Sequence, residues 1–489
     1  MTTPSLTEIL ALVEGDTDRL VGMRFVDVAA AYFSATRDST GPVSTQLTPA
    51  ELAARFGEPM PVEGHSIDEV AARLERDILA DGNRLMHPMA LGHQVSAPLP
   101  AAVWAEVVTA ALNNSAAVWE MSPTGTSVEL QVIGWMCELA GFGTGSGGTL
   151  TSGGTEATLT AMLAARAAAM PDAWERGVEG PLPVMLCGEH THYAATRAAA
   201  EVGIGMRNVI AVPSHEWKMD PAVLAQRLDA LAAEGRPVMA VIATAGCTAT
   251  GAFDDLDAIG GICDARDVWL HVDAAHGGSA LLSARHRHRM RGVQRARTVA
   301  WDPHKMMLLP LSAGVVLARD ERDLTGAFAQ HAPYLFHGSA TERSIDQGTR
   351  SFACSRRVDA IKVWVALQRY GARGIGLLYD HLCALATTLH RMIGERPGFE
   401  AMHEPEGNIL CFRWVGGGEA SGDRLDAFNR ALRDRYNRSG RGWITGTMLG
   451  GVRVLRVTVM NPRTREKHLD ELLTGLADEA ALMLRTGGW

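Results

Sequence analysis

The sequence predicts an α/β protein: a mainly parallel sheet covered by helices on both faces, preceded by a helical arm and followed by a small α+β unit. Three observations carry this. Between about residue 89 and residue 370, short apolar or β-branched runs alternate with helical segments, the pattern of strands buried on both faces. Residues 1–88 are helical in pattern but broken by Pro4, Pro42, Pro49, Pro59 and Pro61. Beyond residue 370 the order of elements changes to helix, strand, helix, strand. A chain of 489 residues, 47% of them apolar, can bury a sizeable core.

Taken in order, the arm holds Ser66-Ile67-Asp68-Glu69, which has the form of a capping box ahead of an amphipathic stretch. Such an arm cannot bury its own apolar face and is expected to pack on a neighbour, such as a second copy of the chain. In the central region strands are expected at Val184–Cys187, Val209–Val212, Val238–Thr244, Val268–Asp273, Thr298–Asp302 and Gly314–Ala318. Ligands of such sheets collect at the carboxyl ends of the strands. After a helix-like Asp359–Tyr370, a long helix is expected near 376–395, a strand at Ile409–Trp414, a helix at Arg424–Tyr436 and a strand at Val452–Val459. The expected division is therefore 1–88, 89–370 and 371–489, with no internal repeat.

Composition excludes several classes of function. Lys and Arg number 46 against 55 Asp and Glu, a net charge of -9, which disfavours nucleic acid as a partner. The seven cysteines form no CxxC pair, which argues against a disulfide framework and a structural zinc site, and fits a reducing cytoplasm. The N-terminal residues do not resemble a signal peptide, and no run approaches the ~18 apolar residues of a spanning helix. A cytoplasmic protein with no membrane partner is the expectation. The basic run Arg285–Arg291 reads as a solvated helix or loop face rather than a metal or RNA site.

Three motifs carry chemistry. Leu150-Thr-Ser-Gly-Gly-Thr-Glu-Ala157 lies between a glycine-rich turn and an Ala-rich helical run, so its N–H groups suit a phosphate; a plain structural turn fits equally. Asp273 closes a predicted strand, where it serves either as a site carboxylate or as an N-cap. Pro303 bends the chain after the next strand and turns Lys305 toward the same mouth, although a surface lysine is the plainer reading of that residue alone. The combination suits pyridoxal phosphate. An amine bonds the aldehyde, a carboxylate keeps the pyridine nitrogen protonated, and helix N–H groups hold the phosphate.

At these residues the chain resembles the group II pyridoxal-phosphate-dependent amino-acid decarboxylases, which include glutamate, cysteine-sulfinate, diaminobutyrate and aromatic amino-acid decarboxylases. The resemblance runs through His87-Pro88, Ser122-Pro123 with Glu129, Ser152–Glu156, His190-Thr-His192, Ala243–Thr248, His271–Ala275, Asp302-Pro-His-Lys-Met306, Cys354–Asp359, Glu406–Arg413, Leu455-Arg456 and Asn461-Pro462. It implies a fold-type I enzyme in which Lys305 carries the cofactor, Asp273 pairs with the pyridine nitrogen, and Gly153, Gly154, Thr155 and His304 hold the phosphate. It implies further that Ala275 and His192 lie on opposite faces of the ring, that Thr248 bonds near the ring hydroxyl or the substrate carboxylate, and that His87 and Arg456 serve the substrate. Arg456 resembles the arginine that receives the α-carboxylate in glutamate-type members. Ala332-Pro-Tyr-Leu-Phe336 resembles the start of the mobile catalytic loop, which makes Tyr334 the expected acid for Cα.

The resemblance implies a homodimer that converts an L-amino acid to an amine and carbon dioxide. Met89-Ala-Leu-Gly-His93 offers no aromatic surface where aromatic-type members are rich in rings, so a small polar or acidic side chain ranks first. An aromatic amino-acid decarboxylase and an aldehyde synthase on the same scaffold are the alternatives, and a catalytically silent dimeric scaffold is the non-enzymatic one. Asp302 departs from the asparagine found in many members.

Overall fold

The computed structural model describes residues 5–11, 14–37, 41–328, 345–416 and 422–487. The arm carries α1 (Arg19–Arg37), α2 (Pro49–Arg55) and α3 (Ile67–Arg73). The last two open on capping boxes, in which Thr48 and Ser66 accept from the N–H groups of Glu51 and Glu69 and each glutamate returns to the cap N–H. Leu20, Phe25, Met60 and Val62 remain exposed within the single chain.

Two helices, each with a proline in its first turn, α4 (Pro100–Leu112) and α5 (Pro123–Leu139), lead into the sheet. Its elements are β1 (Gly147–Thr151), α6 (Gly154–Ala169), β2 (Val184–Gly188), α7 (Ala194–Glu201), β3 (Val209–Val212), α8 (Pro221–Ala233), β4 (Val238–Thr244), α9 (Leu256–Asp264), β5 (Leu270–Asp273), β6 (Thr298–Trp301) and β7 (Gly314–Ala318). The seven strands lie in the order β1-β7-β6-β5-β4-β2-β3. All run one way except β7, which is antiparallel to both of its neighbours. Along β4, Ala240 and Ile242 join the core on one side and Val241 and Ala243 the core on the other, as a strand covered on both faces requires.

One expected strand starts late, and one strand is new. Val268 donates its N–H to Cys263 O at the end of α9, so β5 begins only at Leu270. β1 was not anticipated, because Gly147 and Gly148 have low strand propensity; pairing with β7 supplies what the sequence lacks.

The second unit follows α10 (Ala360–Glu395), which is two helices meeting at Gly371, where φ of 66° and ψ of 161° leave helical geometry. It continues through β8 (Phe399–Ala401), β9 (Ile409–Trp414), α11 (Gly422–Arg438), β10 (Thr445–Leu449), β11 (Val452–Thr458) and α12 (Glu466–Thr486). The four strands form an antiparallel sheet in the order β8-β9-β11-β10. The basic run at 285–291 is not simply solvated: His286 bonds Asp380 Oδ1 at 2.9 Å, and Arg289 pairs with Glu406 at 3.3 Å, which ties the large unit to the small one. Among the described residues no helix is long and apolar enough to cross a membrane.

Candidate active site

The carboxyl ends of β1, β4, β5 and β6 surround a cavity of about 330 Å³. At the end of β1 the chain turns through Ser152 and Gly153 into α6, whose N-terminus forms one wall. Glu156 Oε2 accepts from Ser152 N at 2.9 Å and Ser152 Oγ at 2.6 Å, which holds the turn. There is no room for a side chain at Gly154: a Cβ would lie 2.7 Å from Ala275 Cβ and 3.1 Å from Asp302 Oδ2. Behind the turn, Glu129 Oε1 accepts from Leu150 N at 3.1 Å, and both its oxygens take the Arg356 guanidinium, at 2.5 and 2.9 Å.

From the end of β6, Asp302-Pro303-His304-Lys305 crosses the floor. Lys305 Nζ lies 3.1 Å from Asp302 Oδ2, and the same oxygen accepts from Gly154 N at 3.0 Å. Asp302 is only 2% exposed, and its Oδ1 is buried without a hydrogen-bond partner. His304 Nδ1 accepts from Ala313 N at 3.0 Å, so its proton sits on Nε2, 3.5 Å from Asp302 Oδ2; burial pushes its pKa below the ordinary histidine value.

Asp273, at the end of β5, accepts from Ala275 N through Oδ1 at 3.1 Å. Across the cavity His192 accepts from Ala194 N at Nδ1, and burial lowers its pKa against the opposing pull of Asp273, which leaves a neutral ring. Thr248 also lines the cavity, and its carbonyl accepts from Arg456 Nη1 at 2.9 Å.

The structure therefore brings Gly153, Gly154, Thr155, His192, Thr248, Asp273, Ala275, His304 and Lys305 to one cavity. Arg456 stands behind Thr248 rather than on the wall; it is 7% exposed, has no carboxylate at ion-pair distance among the described residues, and keeps a buried Nε without a partner. His87 is not part of this wall. Its Nδ1 accepts from Met89 N, and it lines a separate concavity with Arg441 and His468. Tyr334 lies outside the described residues.

Sequence reasoning passed over two residues here. Asp254 is buried, accepts from Thr244 N at 2.7 Å and Met219 N at 2.8 Å, and is raised by burial to about 6; it clamps the end of β4. His276 lines the cavity, bonds Asn408 Oδ1 at 2.7 Å, and is pushed by burial to about 3. Neither carries a local signal, since an acid before a helix cap and a lone histidine are both common.

The donor set fits a phosphorylated aldehyde of a protonated heterocycle. An N–H cradle that no side chain could share, a primary amine and a strand-end carboxylate face one volume. Residues 49–415 match the family model described as the pyridoxal-dependent decarboxylase conserved domain. The chain is 34% identical to cysteine sulfinic acid decarboxylase of Rattus norvegicus over 438 residues, covering 87% of this chain and 88% of that one. It is 32% identical to L-2,4-diaminobutyrate decarboxylase of Rhizobium meliloti (strain 1021) over 429 residues, covering 86% and 84%. The crystal structure of mouse CSAD in apo form superposes with a TM-score of 0.87 at 29% identity, covering 95% of this chain and 99% of the other. The matched span includes the α6 cradle and the segments bearing Asp273 and Lys305, and the chain belongs to the pyridoxal-dependent decarboxylase family, as a pyridoxal-phosphate-dependent carboxy-lyase.

Proposed function

We propose that this enzyme converts an L-amino acid with a small polar or acidic side chain to the corresponding amine and carbon dioxide. The observation that carries the reading is the convergence of Lys305, Asp273 and the Gly153–Thr155 turn on one cavity at the carboxyl rim of the sheet. When bound, pyridoxal phosphate supplies an electron sink for the pair left as the bond from Cα to the carboxylate breaks. Lys305 would hold it covalently through Nζ. The N–H groups at the start of α6, with His304 Nε2, would bind the phosphate. Asp273, whose Oδ1 is engaged by Ala275 N, would keep Oδ2 for the protonated ring nitrogen. His192 and Ala275 would pack against the ring. Tyr334 is assigned the return of a proton to Cα on its sequence context.

The substrate class rests on ring content and on the relatives. Arg456, behind Thr248 and with no carboxylate at ion-pair distance among the described residues, is assigned the α-carboxylate that every amino-acid substrate carries. The Met89–His93 segment brings no phenyl or indole ring. The relatives named for cysteine sulfinic acid and diaminobutyrate support a small polar or acidic side chain. We place the chain in a homodimer in the cytoplasm, divided as 1–88, 89–370 and 371–489; the exposed Val107, Val108 and Leu112 of α4 support the first, and free cysteines the second.

The test is to supply each L-amino acid with pyridoxal phosphate and to measure carbon dioxide and amine. Acidic or small polar substrates are expected to give both in equal amounts. Keto acid or aldehyde in place of amine overturns the reaction, and turnover confined to aromatic substrates overturns the substrate class.

A further inference from the structure

Asp302 occupies the cradle that the proposed function gives to the phosphate, and the inference rests on that reading. Its carboxylate is sustained through one oxygen: Oδ2 takes Gly154 N–H at 3.0 Å and lies 3.1 Å from Lys305 Nζ, while Oδ1 is buried with no partner. Cofactor binding claims both supports. The phosphate takes the N–H groups at the start of α6, and Lys305 enters a covalent bond. A buried carboxylate stripped of its cation and its amide donor, and now beside a phosphate dianion, is expensive to keep ionised.

The neighbouring groups leave Asp302 as the place for a proton. His304 and His192 accept N–H bonds from Ala313 and Ala194 at Nδ1, so a second proton on either ring would set N–H against N–H. His276 is buried and bonded to Asn408, and burial disfavours its charged form. Glu156, on α6, is already held by both donors of Ser152. Asp273, at the end of β5, is committed to the ring nitrogen in the proposed function. Lys362 and Asp359, on and before α10, pair with each other at 2.9 Å.

We propose that cofactor binding carries one proton from solvent onto Asp302, which turns its carboxyl group from a stand-in anion into a hydrogen-bond donor for the phosphate. In the cofactor-free protein Asp302 thus holds Lys305 and the N-terminus of α6 ready; in the loaded protein it joins the cradle as a neutral acid. Cofactor affinity is then coupled to pH through this residue and weakens as pH rises.

The experiment is titration calorimetry of the full-length protein with pyridoxal phosphate at about pH 8, where the free phosphate is already a dianion, in two buffers of different ionisation enthalpy. Wild type is expected to take up about one proton per site more than Asp302→Asn, whose amide donates without titrating. Its dissociation constant should also rise about ten-fold per pH unit more steeply than that of the variant. Because the variant also removes the carboxylate 3.1 Å from Lys305 Nζ, wild type is titrated with pyridoxal as well, a ligand with which Lys305 reacts while its neighbour is unchanged. Equal proton counts overturn the proposal. Should Asp302→Asn fail to fold, the comparison with pyridoxal, which lacks the phosphate, stands by itself: the extra proton is expected only with pyridoxal phosphate, and equal uptake with both ligands overturns the proposal. Borohydride reduction and peptide mass spectrometry accompany each titration. An adduct at Lys305 with equal proton counts removes only the Asp302 proposal, whereas no adduct at Lys305 overturns the site assignment and the proposal with it.

Discussion

Replacing the hydrogen on Gly154 by a methyl group would drive a carbon into Ala275 Cβ at 2.7 Å and toward Asp302. Gly154→Ala is therefore expected to weaken pyridoxal phosphate binding at least about ten-fold, read by titrating visible absorbance; unchanged affinity would show that the turn does not hold the phosphate. Two fully buried histidines set an acid limit on stability. His271 and His276 are pushed by burial to about 4 and about 3 from an ordinary 6.5. Below pH 6.5 the unfolded chain protonates both and the folded chain does not, so stability falls on acidification by up to about 1.4 kcal/mol per pH unit for each. Asp254 acts in the opposite sense, because its folded form, raised to about 6, binds a proton before its unfolded form does. Two groups outweigh one, and the urea midpoint should drop between pH 7 and pH 5, less steeply in His276→Gln; a midpoint that holds or rises would contradict the balance. Lys305 and Asp273 were legible because each follows a strand that the apolar pattern reveals. The place of Asp302 was not, since an acid before a proline looks the same whether it ends a strand or fills an anion cradle.

Between residues and molecule, β1 is backed by a buried ion pair. It ends in the cradle, and its Leu150 N–H is held by Glu129, itself gripped by Arg356. Glu129 is fully buried, so Arg356→Met strands a carboxylate and is expected to cost about 3–5 kcal/mol. Chemical denaturation measures this, and the double variant Glu129→Leu with Arg356→Met should recover part of the loss; a loss below about 1 kcal/mol would mean that the pair is dispensable. The sheet of the large unit was readable from runs such as Val238–Thr244, which are apolar throughout. β1, β8 and β10 were not, because their residues take strand form only against partners distant in sequence.

At the scale of the whole molecule, one chain leaves much apolar surface open. Val107, Val108 and Leu112 on α4 are more than half exposed, at 55%, 56% and 51%, and Trp119 and Met121 follow close by. If the proposed homodimer uses this face, Val108→Asp should shift sedimentation from dimer toward monomer at micromolar concentration; a dimer of unaltered strength would place the interface elsewhere, and a monomeric wild type would overturn the dimer. The three-part order of the chain was legible from the change of pattern after residue 370, and so was the break within α10, since Gly371 leaves helical geometry there. That break has an evolutionary corollary. The two halves of α10 meet at a residue outside helical φ/ψ, so a crossover at Gly371 would join two whole helices rather than cut one. Exchange of C-terminal portions among relatives is expected to be tolerated best at this joint, where the incoming small sheet arrives with the helix that precedes it.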